Sequence, residues 1–583
     1  MLPLSCRLGN DARICAQESE MPAENCDSAS RGESSELSAR LDLPPRNRVA
    51  AGQANLTKKP TLTFFRPILA PLLLTTSLAG APWFALAQNA QSDGSAAARA
   101  GAIEHAQKMR RLFPDTGAEN QTTPPVIPAF EIDLDPTGAI ATFQPRGATE
   151  TAKNAFFQSL GTNGRACNTC HKPDQGMALS AQHVQELFHA NANDPLFRLV
   201  DGATCPSDDV STHRAKRKAY SLLLARGLIR IGLPMPSAGL EFQITDVNDP
   251  YGCNTNPTTG LTGATTGTLS VYRRPLPAAN LGFLTTIMWD GREPSLFNQA
   301  IDATLGHAQA AVAPSSEQQR QIVSFEGCMQ AADPVLCADI PAGAGVFTAQ
   351  IFDDAGLDLS RDGANGGPIS LSKRLAKFFV GVNDPLGQNP TGAPFDPAIF
   401  DLYGNWGNMR EHGPASERRQ AIARGEALFN STKINITGVA GLNDALNQPI
   451  IPGFCGTCHD TPNVGNHSVK APLNIGVANA GAASPPALDI SGLPVFTLWC
   501  TSGPLAGQIF EVTDPGRALI TGKCADIGKL KGPILRGLAA RAPYFHNGSA
   551  ATLADVVEFY NQRFDIGFTD QQKADLVAFL SSL

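Results

Sequence analysis

The clearest hydrophobic periodicity lies near the C-terminus. After Thr552, the residues Leu553, Val556, Val557 and Tyr560 recur at i, i+3, i+4 and i+7, the stripe of an amphipathic helix. Thr569 can cap a second helix, with Gln572 completing a capping box and Leu576, Phe579, Leu580 and Leu583 as its stripe. A third helix is expected from a Ser416 cap to Asn430, with Ile422, Gly425 and Phe429 on one face. Its glycine would let another helix approach closely. Upstream, Glu150–Leu160 carries Phe156 and Leu160 one helical period apart and stops at Gly161, which predicts a further helix. The Pro-, Gly- and Asn-rich stretches around 248–268 and 384–397 read as long surface loops. The fold expected from this pattern is mainly α.

One apolar stretch has a different character. Lys58 and Lys59 precede Thr61–Ala87, rich in Phe, Leu, Ala and Pro and ending Ala85-Leu86-Ala87. A basic start, an apolar middle and an A-x-A end predict a secretory signal peptide over 58–87. Arg66, Pro67 and Pro71 leave the uninterrupted run short for a membrane span. Residues 1–57 are polar and aperiodic, and read as a disordered leader or a misassigned start. Residues 88–147 form an N-terminal extension. No later segment reads as transmembrane, so a periplasmic chain without a span is expected.

Composition narrows this only slightly. The chain has 583 residues, a net charge of -7 and 42% hydrophobic residues, which excludes a disordered or collagen-like protein and allows two or more domains. Mild acidity argues against nucleic-acid binding.

Cysteine placement carries the chemistry. Ten of the thirteen cysteines follow residue 87, and four of them form two matching motifs, Cys167-Asn168-Thr169-Cys170-His171 and Cys455-Gly456-Thr457-Cys458-His459. In CxxCH, two thiols add to the vinyl groups of haem and the histidine becomes the proximal iron ligand. Thiols at i and i+3 clamp one porphyrin edge to a turn, and the next residue turns its imidazole under the iron. Zinc would need the two pairs together or further ligands nearby, and the pairs are 288 residues apart. Two covalently bound haem c groups are therefore expected. Cys205, Cys253, Cys328, Cys337, Cys500 and Cys524 remain for disulfides. Their number allows 15 connectivities, among which Cys328–Cys337 and Cys500–Cys524 are the local choices.

Four segments resemble the bacterial diheme cytochrome c peroxidase superfamily, which includes MauG-type enzymes and rubber oxygenases. They are the two haem motifs, the stretch MWDGREPSLFNQA from Met288 to Ala300, and the tail from Lys529 to Tyr560. The resemblance implies two cytochrome c-like haem domains. The N-terminal one, 148–415, would be catalytic with large loop insertions; the C-terminal one, 416–583, would transfer electrons. It implies that peroxide or dioxygen is handled at the first haem. Electrons would enter at the second from a small cytochrome c or copper protein. Trp289 matches the bridging tryptophan, Arg292 would lie near haem propionates, and Gln299 matches a distal-pocket glutamine. The position of the peroxidases' proton-shuttling glutamate is Gln309, whose amide can orient peroxide but not exchange its proton. His307, two residues earlier, is a substitute acid/base or a loop histidine. Where the family has proline, this chain has Ala303. Tyr560 matches the distal ligand position of the second haem, and His546 competes with it. His183 and His189 lie where some relatives carry a displaceable distal histidine. The family also binds calcium partly through backbone carbonyls, at positions that include Arg541 and Pro543. The implied function is a peroxidase. The alternatives are a MauG- or rubber oxygenase-like oxidase or oxygenase, and a non-catalytic electron carrier.

Overall fold

The computed structural model describes residues 124–583 apart from 136, 256–266, 330–334, 342, 376–382, 387–388, 390–391 and 470. The segments expected as a leader and a signal peptide, and most of the expected N-terminal extension, lie outside the described residues, as do parts of the two expected long loops. Among the described residues there are ten α-helices and twelve strands, so the mainly helical expectation needs correction. Short apolar alternations such as FQITDVN and TLSVYR formed strands that the helix-directed reading passed over.

The C-terminal periodicities fold as their spacing predicts. Leu553–Arg563 starts at Thr552, whose Oγ1 accepts from Asp555 N (3.2 Å) while the Asp555 carboxylate accepts from Thr552 N (2.8 Å). Asp570–Ser581 starts at the Thr569–Gln572 capping box. The third helix, Pro414–Ser431, begins before Ser416. Proline at the first helical position sets its start, and the Ser416 hydroxyl donates instead to Glu411 O (2.6 Å). Gly425 lies where this helix crosses Asp570–Ser581: a Cβ there would sit 2.0 Å from Asp575 O and 2.6 Å from Phe579 Cβ. Arg424 grips Asp575 with two bonds of 2.8 Å beside that crossing. Phe400, Phe429 and Phe579 stack edgewise beneath it, with centroids 5.2–5.8 Å apart.

No α-helix spans 150–160. Glu150 pairs with Val126 as a strand, and two 3-10 turns follow, Thr151–Lys153 and Ala155–Phe157. Asn154 is extended between them, and its side chain accepts from Phe156 N (2.9 Å), so local bonding outcompetes helix propagation.

Three sheets tie distant segments together. Phe242–Asn248 pairs with Val495–Cys500, which pairs with Ile509–Val512. Gly138–Phe143 lies between Phe130–Asp135 and Phe347–Phe352. Ile229–Pro234 pairs with Thr268–Arg273. The disulfides are Cys328–Cys337 and Cys500–Cys524, as expected locally, and Cys205–Cys253.

The chain also repeats itself. Ile287 bridges to Glu293 and Tyr544 to Ala550, closing two similar loops. In each, a non-glycine residue has positive φ (Met288 62°, Phe545 65°) and a glycine follows three residues later (Gly291 69°, Gly548 62°). Such a conformation at a bulky residue costs roughly 1 kcal/mol or more, so the loops are held by their surroundings. Each loop ends in an N-cap, Ser295 or Thr552, and an 11-residue helix, Leu296–Gly306 or Leu553–Arg563. A capping-box helix follows, started by Ser315/Gln318 or Thr569/Gln572, and its Phe325 or Phe579 packs on Phe156 or Phe429. In this register Trp289 stands where His546 does, and Ala303 stands where Tyr560 does.

Candidate active site

Each CxxCH segment is a 3-10 turn, Cys167–Thr169 or Cys455–Thr457. The intervening threonine closes it: Thr169 Oγ1 accepts from Ala166 N (3.1 Å), and Thr457 Oγ1 from Phe454 N (3.0 Å). Both histidines are then fixed the same way. His171 Nδ1 donates to Met177 O (3.0 Å) and His459 Nδ1 to Gly465 O (2.5 Å). A carbonyl partner demands the Nδ1–H tautomer and leaves Nε2 free as a ligand. Burial holds both imidazoles below the usual histidine range, hence neutral. Phe156 and Phe429 pack beside them at 6.3 and 6.2 Å.

The motifs open into two cavities. One, of about 1420 Å³, is lined by Cys167, Cys170, His171, Arg292, Gln299, Ala303 and His307. The other, of about 1640 Å³, is lined by Cys455, Cys458, His459, His467, His546 and Tyr560. They share Arg274, Pro275, Trp289 and Lys531, so Trp289 forms part of the wall between them. The four motif cysteines are free thiols, and burial pushes Cys170 up to about 11 and Cys455 and Cys458 up to about 12. Among the described residues no group of three or more His, Cys, Asp or Glu could hold a metal ion. Paired half-buried thiols beside a neutral imidazole, facing a mostly apolar cavity, fit covalent haem better than zinc.

His307 is not a free loop residue. It caps the C-terminal end of Leu296–Gly306, and its Nδ1 lies 2.6 Å from Asp201 Oδ2. Asp201 also pairs with Arg165, whose Nε and Nη2 donate to Pro195 O (2.8 Å) and Leu196 O (2.6 Å). Burial pushes the Asp201 carboxyl up, but the Arg165 guanidinium and His307 more than offset it and hold it below the usual carboxylate range. Gln309 departs from the expectation of a distal-pocket residue. It has positive φ (55°), is exposed, does not line the cavity, and accepts from Asn163 Nδ2 (3.2 Å). The helix has already ended, and the left-handed turn carries the side chain outward.

Trp289 donates from Nε1 to Arg274 O (2.8 Å) and packs edgewise on His546 at 6.1 Å. His546 is buried, and burial lowers it to about 4, so it is neutral. Tyr560 lies edgewise to His459 at 6.4 Å, and burial raises its phenol well above the usual range. Arg292 pairs with Asp290 (3.2 Å), which also pairs with Arg273; Arg273 grips Asp514 through bonds of 2.6 and 2.9 Å. His183 and His189 lie on the helix Ala181–Ala190, and neither lines a cavity.

Several wall residues escaped sequence reading. Lys531 sits inside the tail motif, yet nothing local marks it as shared by both cavities. Asp201 has no local signal at all. His467 is buried with its Nδ1 2.7 Å from Asp460 Oδ2. Glu326 lines the first cavity, its Oε2 has no hydrogen-bond partner, and burial raises it to about 8. The folded state therefore keeps a proton that the unfolded chain releases from about pH 4.5 upward, so this group makes stability fall as pH rises towards 8. Glu326→Gln should flatten that slope and raise Tm at the upper end. Equal slopes in melting series of the two proteins across that range would contradict this.

No family model matches the chain. It is 35% identical over 140 residues to the cytochrome-c peroxidase IdrP2 of Denitromonas iodatirespirans, covering 22% of this chain and 36% of that one. It is 30% identical over 248 residues to the cytochrome c551 peroxidase of Nitrosomonas europaea, covering 40% of this chain and 61% of that one. The alignments thus span about a third to three fifths of these relatives' own length. A solved structure of a MauG-like protein associated with microbial copper homeostasis aligns with 80% of this chain and 95% of its own, at 16% identity and a TM-score of 0.30.

Proposed function

We propose that this relative of the diheme cytochrome c peroxidases is a periplasmic haem-dependent oxidoreductase that reduces peroxide in its first cavity with electrons entering at its second. The observation that carries this reading is the pair of like cavities, each with CxTCH thiols and a carbonyl-fixed imidazole, meeting at Trp289. Cys167, Cys170 and His171 would hold one haem c; Cys455, Cys458 and His459 would hold the other. When bound, haem supplies an iron that changes oxidation state and can take a small oxidant as ligand.

The remaining work falls to the chain. In the repeat register, Ala303 leaves a methyl group where the second half has Tyr560, which keeps room for a small oxidant on the first side. Tyr560 or His546 would close the second. His307, oriented by Asp201, would hold and release the proton that the Gln309 position cannot. Gln299 would orient the oxidant, and Arg292 would balance propionate charge. Trp289 would carry electrons between the cavities. The signal peptide at 58–87, the haem domains at 148–415 and 416–583, and a small cytochrome or copper-protein donor belong to the same proposal.

Absorption and EPR spectra of the oxidised and half-reduced protein, with peroxide added, test it. One high-spin haem that reacts with peroxide is expected. Two low-spin haems unchanged by reduction and cyanide would sink the enzyme reading and leave an electron carrier. The outward position of Gln309 favours one second reading, an oxygenase or MauG-like oxidase. Slow peroxide turnover with a reduced cytochrome, beside rapid reaction with dioxygen, would select it. Trp289→Phe should slow inter-haem electron transfer by about an order of magnitude, since it removes the bond to the Arg274 carbonyl and shrinks the shared wall. An unchanged rate in flash or stopped-flow reduction would exclude the relay role.

A further inference from the structure

We infer that the guanidinium of Arg274 is a built-in cation occupying the carbonyl cage where a calcium ion is expected, so that this chain fixes the Trp289 wall without a metal. Three carbonyls from separate segments converge on it. Nη2 donates to Leu179 O (2.5 Å) and Arg541 O (2.8 Å), and Nη1 donates to Arg226 O (2.6 Å). Leu179 follows the first haem motif, Arg226 ends the helix Ser221–Arg226, and Arg541 belongs to the tail motif. Gly227 makes room: a Cβ there would lie 2.7 Å from Arg274 Nη1.

The donor set does not suit calcium. Calcium takes six to eight oxygens, usually with carboxylates among them. The charged group that acts most on Arg274 besides burial is Arg541, another buried guanidinium, and it would repel a divalent ion. Arg541 O, one of the expected calcium ligands, is already taken by Arg274. A planar guanidinium with several fixed donors satisfies carbonyls in different directions, as an ammonium cannot. Burial and Arg541 bring Arg274 down to about 9, which still leaves it charged at neutral pH.

The cage acts on the wall through the backbone of the same residue. Arg274 O accepts from Trp289 Nε1 (2.8 Å), and Arg274 N donates to His546 O (2.7 Å). The side chain thus locks the main chain on which both Trp289 and the His546 loop depend. Arg274 is a positioning residue.

The test uses the holoprotein and needs no turnover, so its outcome is separate from the peroxidase reading. Protein prepared without added calcium should contain substoichiometric calcium by elemental analysis, and EGTA or millimolar calcium should leave Tm and the half-reduced spectrum unchanged. Arg274→Ala should lower Tm by several degrees and perturb the half-reduced spectrum. Millimolar guanidinium should reverse both changes in part, and equal urea should not. If the alanine variant does not accumulate, Arg274→Lys should show the same changes in smaller degree. Stoichiometric calcium in the native protein, with a Tm that falls on chelation and recovers on addition, would overturn the inference. So would variants that match the native protein in Tm and spectrum.

Discussion

His307→Ala is expected to lower peroxide turnover about 10²- to 10⁴-fold, the usual worth of a positioned acid/base group. The expectation rests on its place rather than on residue type. Its Nδ1 is tied to Asp201 Oδ2 at 2.6 Å, which leaves Nε2 to exchange a proton, and its ring lines the first cavity. His307→Gln is the sharper variant, because its amide can still donate to Asp201 but cannot exchange a proton. It should lose kcat as the alanine variant does, with KM and the haem spectrum little changed. Asp201→Asn is a poorer probe. It would leave Arg165 buried without its partner, at a cost of about 3–5 kcal/mol in stability. Full turnover in His307→Gln would remove this residue from the mechanism.

Gly425→Val should prevent the C-terminal helices from closing. A Cβ at 2.0 Å from Asp575 O meets backbone, which cannot swing aside, and Phe579 Cβ blocks it at 2.6 Å. Overpacking usually costs about 1–3 kcal/mol, and a clash with a helix backbone belongs at or beyond the top of that range. The better helix propensity of a non-glycine residue returns at most about 1 kcal/mol. Separating the helices would also break the Arg424–Asp575 pair and loosen Phe429 beside His459. Low Tm and a lowered haem-to-protein absorbance ratio are the expected readouts. Gly404→Ala is the control, since a Cβ there meets nothing within 4 Å. A native melting curve for Gly425→Val would show that the crossing is softer than its geometry.

The superfamily resemblance and the two CxxCH motifs were legible because they are local. CxxCH places its thiols and imidazole through one turn, and the capping boxes at Thr552 and Thr569 act within three residues. The helix expected at 150–160 failed for a local reason as well: Asn154 offered its neighbours a competing hydrogen bond. The repeat linking Trp289 to His546 and Ala303 to Tyr560 was present in the letters. It emerged only when the matching positive-φ positions fixed the register.

By itself the sequence determined the chemistry available: four thiols in two CxxC pairs, a histidine directly after each pair, a tryptophan in a recognisable motif and well-capped terminal helices. Tertiary structure decided which groups meet. It brought Asp201 to His307 across 106 residues, turned Gln309 outward, filled a carbonyl cage with Arg274, and put one tryptophan in the wall of both cavities. Those choices depend on contacts between segments far apart in the chain, whose register is set by packing and sheet pairing rather than by any nearby residue.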